Sequence, residues 1–412
     1  MADVRPFRAV RPRDDLAAQV IAPPYDTLTD AEARHLALNA HSFVHITRPE
    51  VDLDAGTDPH SDAAYEAGAA ALRTFLSEGY LIEDEEPAYY LYRLRMGDHM
   101  QTGFLAACSV DEYDRNRIKK HEFTRPDKED DRTHHLLTLD AQVGLVFLAY
   151  KANDQLRAIA EDITSGNPRW RVVTQDGVEH CLWRASAVDT PHIRDAFGKL
   201  KALYIADGHH RSAAASRAHA ELGSRDSATF LAGLFPDDQL YVMAYNRVVK
   251  DLNGLSVAEF RAKVAENFHI EPADGPRPPG RGSVTMYLDG AWHLLEPHED
   301  KVDWRDPVAS IDAAILQDLL LGPILGIDDP RRSNRIDFVG GIRGPGALVE
   351  PVKSGKAQVA FHLYPTGLDQ LFKVADAGKV MPPKSTWFEP KLREGVVSRL
   401  LRPDEMLDDD AG

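Results

Sequence analysis

Cysteine is scarce in this chain of 412 residues, which contains only Cys108 and Cys181. The two lie far apart, and neither belongs to a CxxC pair. A disulfide-linked scaffold and a zinc knuckle both need closely spaced cysteines, so neither is indicated. Each cysteine is expected to be a small, buried, apolar residue.

Long apolar runs are lacking as well. No stretch approaches the roughly 20 apolar residues that a membrane helix needs. The segment Met1–Asp15 carries repeated charges where a secretory signal peptide would have an apolar core. With 43% hydrophobic and 27% charged residues, the composition is that of an ordinary globular enzyme. We therefore expect a cytoplasmic protein with no membrane partner.

Positive charge is in deficit, since the formal net charge is -17. Such a balance argues against a nucleic-acid-binding surface spread over the protein, although it is compatible with a local basic pocket. The expected partner is a small-molecule substrate and no nucleic acid. The oligomeric state stays open, with a homodimer as one alternative.

The standard catalytic signatures are also missing: the chain has no GxxxxGK[ST], no GxGxxG after a strand, no HExxH and no GxSxG. The adjacent pairs His134-His135 and His209-His210 direct their rings to different sides, which makes a shared transition-metal ion awkward. Magnesium needs no dedicated cage, because carboxylates and substrate phosphates hold it. Asp207 or Glu122 could supply such a carboxylate.

What the chain does contain is a strand, turn and helix in close succession. The apolar run Leu203–Ala206 predicts a buried strand, Asp207-Gly208 the turn that ends it, and the alanines after His209 a helix that stops at Gly223. The first amide groups of such a helix attract anions. Two histidines and an arginine directly after the turn make phosphate the natural ligand. The alternative is a solvated loop in which the aspartate caps the helix.

Two further segments are candidates for the same site. One is the charged stretch His121–Arg132, which is otherwise typical of a solvated loop or helix face. The other is the run Met381–Lys391, whose prolines stiffen the loop. Its potential phosphate-binding side chains are those of Lys384, Ser385 and Thr386. The alternative for this run is a surface loop whose two aromatic residues cover the edge of a core.

Strand and helix patterns are mixed along the chain and predict an α+β or α/β core. Phe43–Ile46 is expected to be a short strand and Leu240–Val249 another. Pro59–Gly79 has the pattern of an amphipathic helix, although Gly68 lies within its apolar face at a cost of roughly 1 kcal/mol against Ala. Ile311–Leu325 is also expected to be a helix.

Six segments follow one another along the chain in a fixed order: Ala22–Asp26, Ser42–His45, Arg48–Glu50, Lys120–Pro126, Asp207–Arg211 and Met381–Thr386. In this order they resemble a bacterial and archaeal family, the domain-of-unknown-function 1015 family, over nearly the whole chain. Asp207–Arg211 also looks like the DGHHR signature of the free-serine kinases that share the ParB/sulfiredoxin fold. Lys120–Glu122 is similar to the His-Glu that precedes the signature in those kinases, where the glutamate acts as base.

The resemblance implies a fold and a division of the chain. The expected core is a ParB/sulfiredoxin-like mixed sheet, with added N- and C-terminal α/β segments. The expected limits are an N-terminal segment at 1–86, the core at 87–250, a C-terminal α/β region at 251–403 and a disordered acidic tail at 404–412.

The resemblance also implies an activity, which is phosphoryl transfer from ATP, ADP or pyrophosphate to the hydroxyl of free L-serine or a similar small molecule. Glu122, Asp207 and His210 are then the expected catalytic residues. The donor phosphates would be bound by Gly208, His209, Arg211, Ser212, Lys384, Ser385 and Thr386. His121 and Arg125 would bind the substrate, and Asp207 would also hold Mg²⁺.

Other functions fit the same motifs. A nucleotide-binding regulator or nucleotidase with a ParB-like fold would need no amino-acid substrate. A sulfiredoxin-like reductase needs a nucleophilic cysteine in the turn, where this chain has His209, so it is set aside. A purely structural interaction protein is the remaining alternative.

Overall fold

The computed structural model describes residues 2–403, so the predicted disordered tail at 404–412 lies outside the described residues. The chain divides into two compact units. The first contains residues 2–119, 124–240 and 390–403, and the second contains residues 120–123 and 241–389. The domain limits predicted at residues 86 and 250 refer to segments that would fold independently. They stay predictions.

The helices are numbered in chain order. They are α1 Ala17–Val20, α2 Asp30–Leu36, α3 Val44–Thr47, α4 Asp62–Ser77, α5 Val110–Asp114, α6 Pro126–Leu139, α7 Asp154–Ser165, α8 Asp189–Gly198, α9 His209–Leu222, α10 Val257–Ala265, α11 Asp312–Leu316, α12 Gly346–Lys353 and α13 Leu368–Asp376. Within residues 2–403, none of the helices combines the length and the apolar character that a membrane span requires.

The strands are numbered in the same way. They are β1 Val4–Arg5, β2 Val10–Pro12, β3 Leu81–Glu83, β4 Tyr90–Met96, β5 His99–Ser109, β6 Ile118–Lys119, β7 Ala141–Gln142, β8 Val146–Tyr150, β9 Trp170–Val173, β10 Glu179–Arg184, β11 Leu203–Asp207, β12 Thr229–Pro236, β13 Tyr241–Met243, β14 Tyr245–Val249, β15 Phe268–Pro272, β16 Val284–Leu288, β17 Ala291–Pro297, β18 Ile336–Gly340, β19 Val359–Leu363, β20 Trp387–Glu389 and β21 Arg399–Leu400.

A large mixed sheet organises the first unit. Its strand order is β6-β11-β8-β12-β5-β4-β10-β9, and β1 also pairs with β5. The pairs β11 with β6 and β12 with β8 are parallel, whereas β11 runs antiparallel to β8. The mixed α+β class expected from the sequence is therefore confirmed.

Helix α9 packs close to this sheet because the side chains it buries are small. Ala213, Ala215 and Ala218 belong to the same apolar cluster as Val146 of β8 and Ala232 of β12. Methyl side chains let the helix axis approach the sheet, and alanine also has the best intrinsic helix propensity. The start of α9 is therefore held in a fixed position against the ends of β11 and β8.

The second unit is built on an antiparallel sheet with the strand order β15-β17-β16-β19-β14-β18. Asp289-Gly290 forms the hairpin turn that joins β16 to β17, and both turn residues have positive φ. A separate two-stranded ribbon pairs β13 with β20. Strand β20 lies in the C-terminal run that the sequence singled out, so part of that run is ordered by strand pairing.

Three local predictions were wrong or incomplete. Phe43–Ile46 is not a strand, because α3 begins at Val44 and packs one short helical turn against α4. Leu240–Val249 is broken into β13 and β14 at Ala244. The helix expected over Ile311–Leu325 is α-helical only to Leu316 and continues as a π-helical turn. In each case tertiary packing overrides a local pattern.

The amphipathic helix predicted over Pro59–Gly79 is confirmed as α4, and its internal glycine has a structural reason. A Cβ atom at Gly68 would lie 3.0 Å from the carbonyl oxygen of Ile46 and 3.4 Å from Cγ of Pro49. The missing side chain lets α4 approach the backbone of α3. The helix-propensity cost of this glycine is therefore offset by close packing.

This contact predicts the effect of filling the gap. G68V should lower the free energy of unfolding by about 1–3 kcal/mol, because the added side chain overpacks the contact with Ile46 and Pro49. A70V, at an exposed position of the same helix, should cost less than about 0.7 kcal/mol. Urea denaturation followed by circular dichroism compares the two variants, and equal midpoints would contradict the packing explanation.

Candidate functional site

The predicted strand, turn and helix are confirmed as β11, Gly208 and α9. Gly208 has φ +98°, and a Cβ atom there would lie 3.3 Å from the Cα atom of Val146. Only glycine meets both conditions without strain. Hydrogen bonding within the helix begins where the Ser212 amide donates to the Gly208 carbonyl at 3.0 Å. The amide groups before Ser212 therefore project from the start of α9, where the helix dipole attracts anions.

His210 lies in the first turn of α9, and its ring is oriented by the segment that precedes α6. The Arg125 amide donates to Nε2 of His210 at 3.1 Å. Because Nε2 accepts this hydrogen bond, the neutral ring carries its proton on Nδ1. The Arg125 backbone thus fixes the ring of His210 at the start of α9. The guanidinium of Arg125 itself pairs with Asp127 at 2.8 Å.

Asp207, the last residue of β11, places a carboxylate at the junction between β11 and α9. The strand register shifts here, since Ile205 pairs with Leu148 and Asp207 with the adjacent Phe147. Nζ of Lys391 lies 3.0 Å from Oδ2 of Asp207. The Asp207 side chain is 42% exposed, whereas that of Lys391 is 19% exposed. The aspartate therefore faces solvent while its cationic partner is largely enclosed.

Arg211 directs its guanidinium into the protein. Its Nη1 donates to the Leu145 carbonyl at 2.9 Å, and its Nη2 lies 3.6 Å from Oε1 of Glu394. The guanidinium carbon is 5.6 Å from the ring centre of Tyr25. A Cβ atom at Gly144 would lie 3.0 Å from Nε of Arg211, so this glycine leaves room for the side chain.

Charge balance keeps Arg211 ionised in this enclosed position. Burial disfavours the guanidinium charge, but the negative charges of Asp26, Glu394 and Asp207 outweigh it and hold the pKa of Arg211 above its usual value. Burial also raises the pKa of Glu394, against the opposing field of Arg211. One carboxylate oxygen of Glu394, Oε2, is buried without a hydrogen-bond partner. Arg211 and Glu394 thus form an internal pair that fixes the first turn of α9.

The other residues of the signature have less exposed positions. The His209 side chain is buried, and the Ser212 side chain is fully enclosed. The Ser212 hydroxyl donates to the Gly208 carbonyl at 3.1 Å, which ties the turn to the helix. Their predicted roles in donor binding stay predictions.

A second group of predicted residues lies in the second unit. The Met381 amide donates to the His121 carbonyl at 2.8 Å, which fixes residues 120–123 beside the C-terminal run. Lys384 is exposed and has φ +59°, and its Nζ lies 5.7 Å from the ring centre of Tyr245. The left-handed backbone places Lys384 in a turn of this loop, and its predicted role in donor binding stays a prediction.

The hydroxyl residues of that loop hold its backbone. The Ser385 hydroxyl donates to the Pro382 carbonyl at 2.6 Å, and the Ser385 carbonyl accepts the Thr366 hydroxyl at 2.8 Å. Ser385 is buried and Thr386 is half-buried. These contacts shape the loop around Lys384, and the predicted phosphate contacts of the two hydroxyls stay predictions.

Arg247 adds a cation to this second group, and the sequence did not predict it. Its side chain is buried, and its Nη2 donates to the Pro383 carbonyl at 3.3 Å. Burial lowers the pKa of Arg247 to about 10, while the charges of Tyr245 and Glu122 oppose that shift. The guanidinium is therefore still positive at neutral pH, and Glu122 lies within its field.

The structure thus distributes the predicted site residues over two groups. The first unit holds Arg125, Asp207, Gly208, His209, His210, Arg211 and Ser212. The second unit holds His121, Glu122, Lys384, Ser385 and Thr386.

Sequence analysis missed three charged residues that contact these groups. Lys391 ends the C-terminal run and has no predicted role. Glu394 follows three residues later, outside the motifs. Arg247 lies on β14, where nothing in the local pattern distinguishes it from other strand arginines. A search for charged residues just beyond the prolines of the C-terminal run would have found the first two.

The rings of His134 and His135 contact different groups. Nε2 of the buried His135 lies 3.1 Å from the Ile46 carbonyl, while the exposed ring of His134 stacks on Tyr65 at 5.0 Å. Desolvation lowers the pKa of His135 to about 3, so this ring is neutral. For magnesium, the exposed carboxylate of Asp207 is a suitable hard ligand, although it already pairs with Lys391.

Helix α6 is held beside the first group by a buried carboxylate, Asp131. Its Oδ2 accepts Nε of Arg132 at 2.8 Å, and its Oδ1 accepts the Tyr65 hydroxyl at 2.9 Å and a ring nitrogen of His60 at 2.8 Å. Arg132 in turn lies over the ring of Tyr25 at 4.2 Å. Burial raises the pKa of Asp131, but the hydrogen bonds from Arg132 and Tyr65 dominate and lower it to about 2.

The depressed pKa predicts a pH-dependent stability. Because the folded-state pKa of Asp131 lies below the unfolded value of about 3.9, its ionised form should stabilise the fold by about 2–3 kcal/mol at neutral pH. This contribution should fall to about half by pH 3 and vanish below pH 2. D131N should therefore lose most stability at pH 7 and progressively less in acid.

Urea denaturation of the wild type and D131N at several pH values measures this difference. D130N is the control, because Asp130 is the exposed neighbour on the same helix. A D131N deficit that stays constant from pH 7 to pH 3 would contradict the assignment.

No curated protein sequence matches the chain. Among solved structures, a free serine kinase in complex with AMP is similar, with 11% identity, a TM-score of 0.37 and coverage of 69% of this chain and 86% of that chain. SbnI with a C-terminal truncation from Staphylococcus aureus has 12% identity and a TM-score of 0.41, covering 74% and 90%. A conserved hypothetical protein from Pyrococcus furiosus has 12% identity and a TM-score of 0.34, covering 69% and 90%.

A family model described as a protein of unknown function, DUF1015, matches residues 4–314. The match includes Glu122 and the whole of the Asp207–Arg211 turn, and it covers well over half of the chain. The chain therefore belongs to the DUF1015 protein family of unknown function.

Proposed function

We propose that this protein transfers a phosphoryl group from a nucleotide or pyrophosphate to the hydroxyl of free L-serine or a similar small molecule. With this activity we propose a ParB/sulfiredoxin-like fold for the larger sheet, a cytoplasmic location, and no nucleic-acid or membrane partner. The proposal depends on the start of α9, because the positive end of the helix dipole, oriented hydrogen-bond donors and a carboxylate lie together in this turn.

Phosphate binding is supported by the donors at this turn. The amides that precede Ser212 project from the helix start, and the Nδ1 proton of His210 is set by the hydrogen bond from Arg125. Backbone amides and the helix dipole together favour a phosphate oxygen at such a position. Arg211 contributes the positive charge of a guanidinium whose position is fixed by Glu394.

Glu122 is proposed as the base that accepts the proton of the acceptor hydroxyl. A base of this kind must be ionised, and the field of the buried Arg247 favours a carboxylate in its neighbourhood. Lys384, exposed on a loop that also contacts the segment of His121, is proposed to bind the donor phosphates. His121 and Arg125 are proposed to bind the substrate.

Asp207 is proposed to hold Mg²⁺ together with oxygens of the donor phosphates. The ion would neutralise phosphate charge, as in other phosphoryl transfers. The residues of the chain then orient the reactants. Glu122 removes the hydroxyl proton, the serine oxygen forms a bond to the terminal phosphorus, and the bond from that phosphorus to the leaving phosphate oxygen breaks.

A single experiment tests the activity. The full chain with L-serine, Mg²⁺ and ATP, ADP or pyrophosphate in turn should give phosphoserine with at least one donor, observed by phosphorus NMR. EDTA in excess should abolish product formation. Hydrolysis of a nucleotide without phosphoserine would contradict the kinase assignment and favour a nucleotidase.

The proposed base has a specific test. E122Q should lower kcat by about 10²–10⁴-fold, because glutamine keeps the shape of the side chain but cannot accept the proton. Donor binding, measured by calorimetry, should stay within about twofold of the wild type. E296Q, at an exposed position of β17 in the same unit, is the matched control. Unchanged turnover in E122Q would refute the role of Glu122.

A further inference from the structure

A small cavity lies against the first two turns of α9, and one part of its wall is charged. Its volume is about 50 Å³, and Leu136, Val146 and Phe230 belong to its apolar wall. Arg132 and Glu394 also line it. One water molecule needs roughly 10–15 Å³, so the space suits a small molecule and is too small for a nucleotide. All of the lining residues belong to the first unit.

Glu394 supplies a hydrogen-bond acceptor in the charged part of the wall. Its side chain is only 4% exposed, and its Oε1 lies 3.6 Å from Nη2 of Arg211. Its Oε2 is buried and has no hydrogen-bond partner among residues 2–403. A buried carboxylate oxygen without a donor is costly, because the water molecules that it lost on folding are not replaced. An N–H donor placed in the cavity would remove that cost.

Arg132 supplies donors in the same wall. Its Nε donates to Oδ2 of Asp131 at 2.8 Å, whereas its two terminal nitrogens donate to no group in the described part of the chain. Arg132 and Tyr25 are both half-buried, so the cavity reaches solvent on this side. Burial opposes the charge of Arg132, but the acidic groups around it, Glu394 among them, outweigh burial and raise its pKa. The unused donors and the unused acceptor therefore lie within each other's field.

Charge balance selects the class of ligand. Arg132 is paired with Asp131, and Arg211 is paired with Glu394, so the charges of these wall residues cancel. A phosphate or a metal ion would add an uncompensated charge to this enclosed space. A molecule with one ammonium and one carboxylate group would not change the balance. Its ammonium group matches Oε2 of Glu394, and its carboxylate matches the terminal nitrogens of Arg132.

We propose that this cavity binds the α-ammonium and α-carboxylate groups of a free amino acid. Glu394 accepts a hydrogen bond from the ammonium group, and Arg132 donates to the carboxylate. The assignment rests on the proposed function, because it makes the acceptor of phosphoryl transfer a free amino acid and not any small hydroxyl compound. Arg211 lines the cavity and directly follows His210. The amino acid is thereby placed beside the turn that is proposed to bind phosphate.

Binding of L-serine to the full chain without a phosphoryl donor, measured by isothermal titration calorimetry, tests the assignment. Two analogues each lack one charged group: L-serinamide lacks the carboxylate, and 3-hydroxypropanoate lacks the ammonium group. Both should bind the wild type at least about tenfold more weakly than L-serine, because each leaves one charged group of the wall unmatched. This comparison needs no variant and is independent of how a substitution affects folding.

Two variants assign the ligand groups to residues. R132M should bind L-serine at least about tenfold more weakly and should lose the preference for L-serine over L-serinamide. E394Q should lose the preference for L-serine over 3-hydroxypropanoate. R217M is the matched control, because Arg217 is an exposed arginine of α9 that pairs with Asp130 at 2.7 Å. It should bind all three compounds like the wild type.

Equal binding of the three compounds by the wild type would overturn the assignment, and so would unchanged preferences in R132M and E394Q. Formation of phosphoserine without measurable binding of L-serine alone would also overturn the cavity site, while leaving the proposed function intact. Absence of both L-serine binding and phosphoserine formation would instead overturn the proposed function.

Discussion

The enclosed charge of Arg211 is the constraint on which the first unit depends. A guanidinium removed from water is costly unless carbonyl oxygens and carboxylates surround it. Here the Leu145 carbonyl, Glu394 and the ring of Tyr25 provide that surrounding. These partners come from three distant parts of the sequence, so burying one side chain of α9 fixes the segments that carry them. The first turn of α9 is held in place as a result.

Local sequence was enough to predict the junction itself. An apolar run, an Asp-Gly turn and an alanine-rich stretch each have one favoured conformation, and β11, Gly208 and α9 follow them. Local sequence failed at Phe43–Ile46, where β-branched residues favour a strand but the backbone turns as α3 against α4. The reason lies in Gly68, whose missing side chain makes room for the Ile46 carbonyl. The space for the Ile46 carbonyl exists only where α3 and α4 pack together, so neither segment predicts it alone.

The charged partners of the turn were beyond prediction for a similar reason. Asp207 and Lys391 are 184 positions apart, and no periodicity or spacing rule connects residues at such a separation. The family match covers the turn but not Lys391 or Glu394. Motif comparison therefore identified the residues of the candidate site that are adjacent in sequence. The residues that balance their charge, Lys391 and Glu394, reach the turn only in the folded chain.

Charge balance also distinguishes the two groups of residues. At the start of α9, one exposed carboxylate is matched by one enclosed ammonium, and the largely enclosed guanidinium of Arg211 is matched by a buried glutamate. Around Glu122 the balance is different, because Arg247 is enclosed by carbonyl oxygens and aromatic rings and keeps its charge at neutral pH. A phosphoryl-transfer enzyme needs both conditions: a turn that accepts an anion without a large change in net charge, and a cation that keeps a base ionised. Residues fixed in place by burial meet each condition, and this is the physical argument behind the proposed phosphoryl transfer.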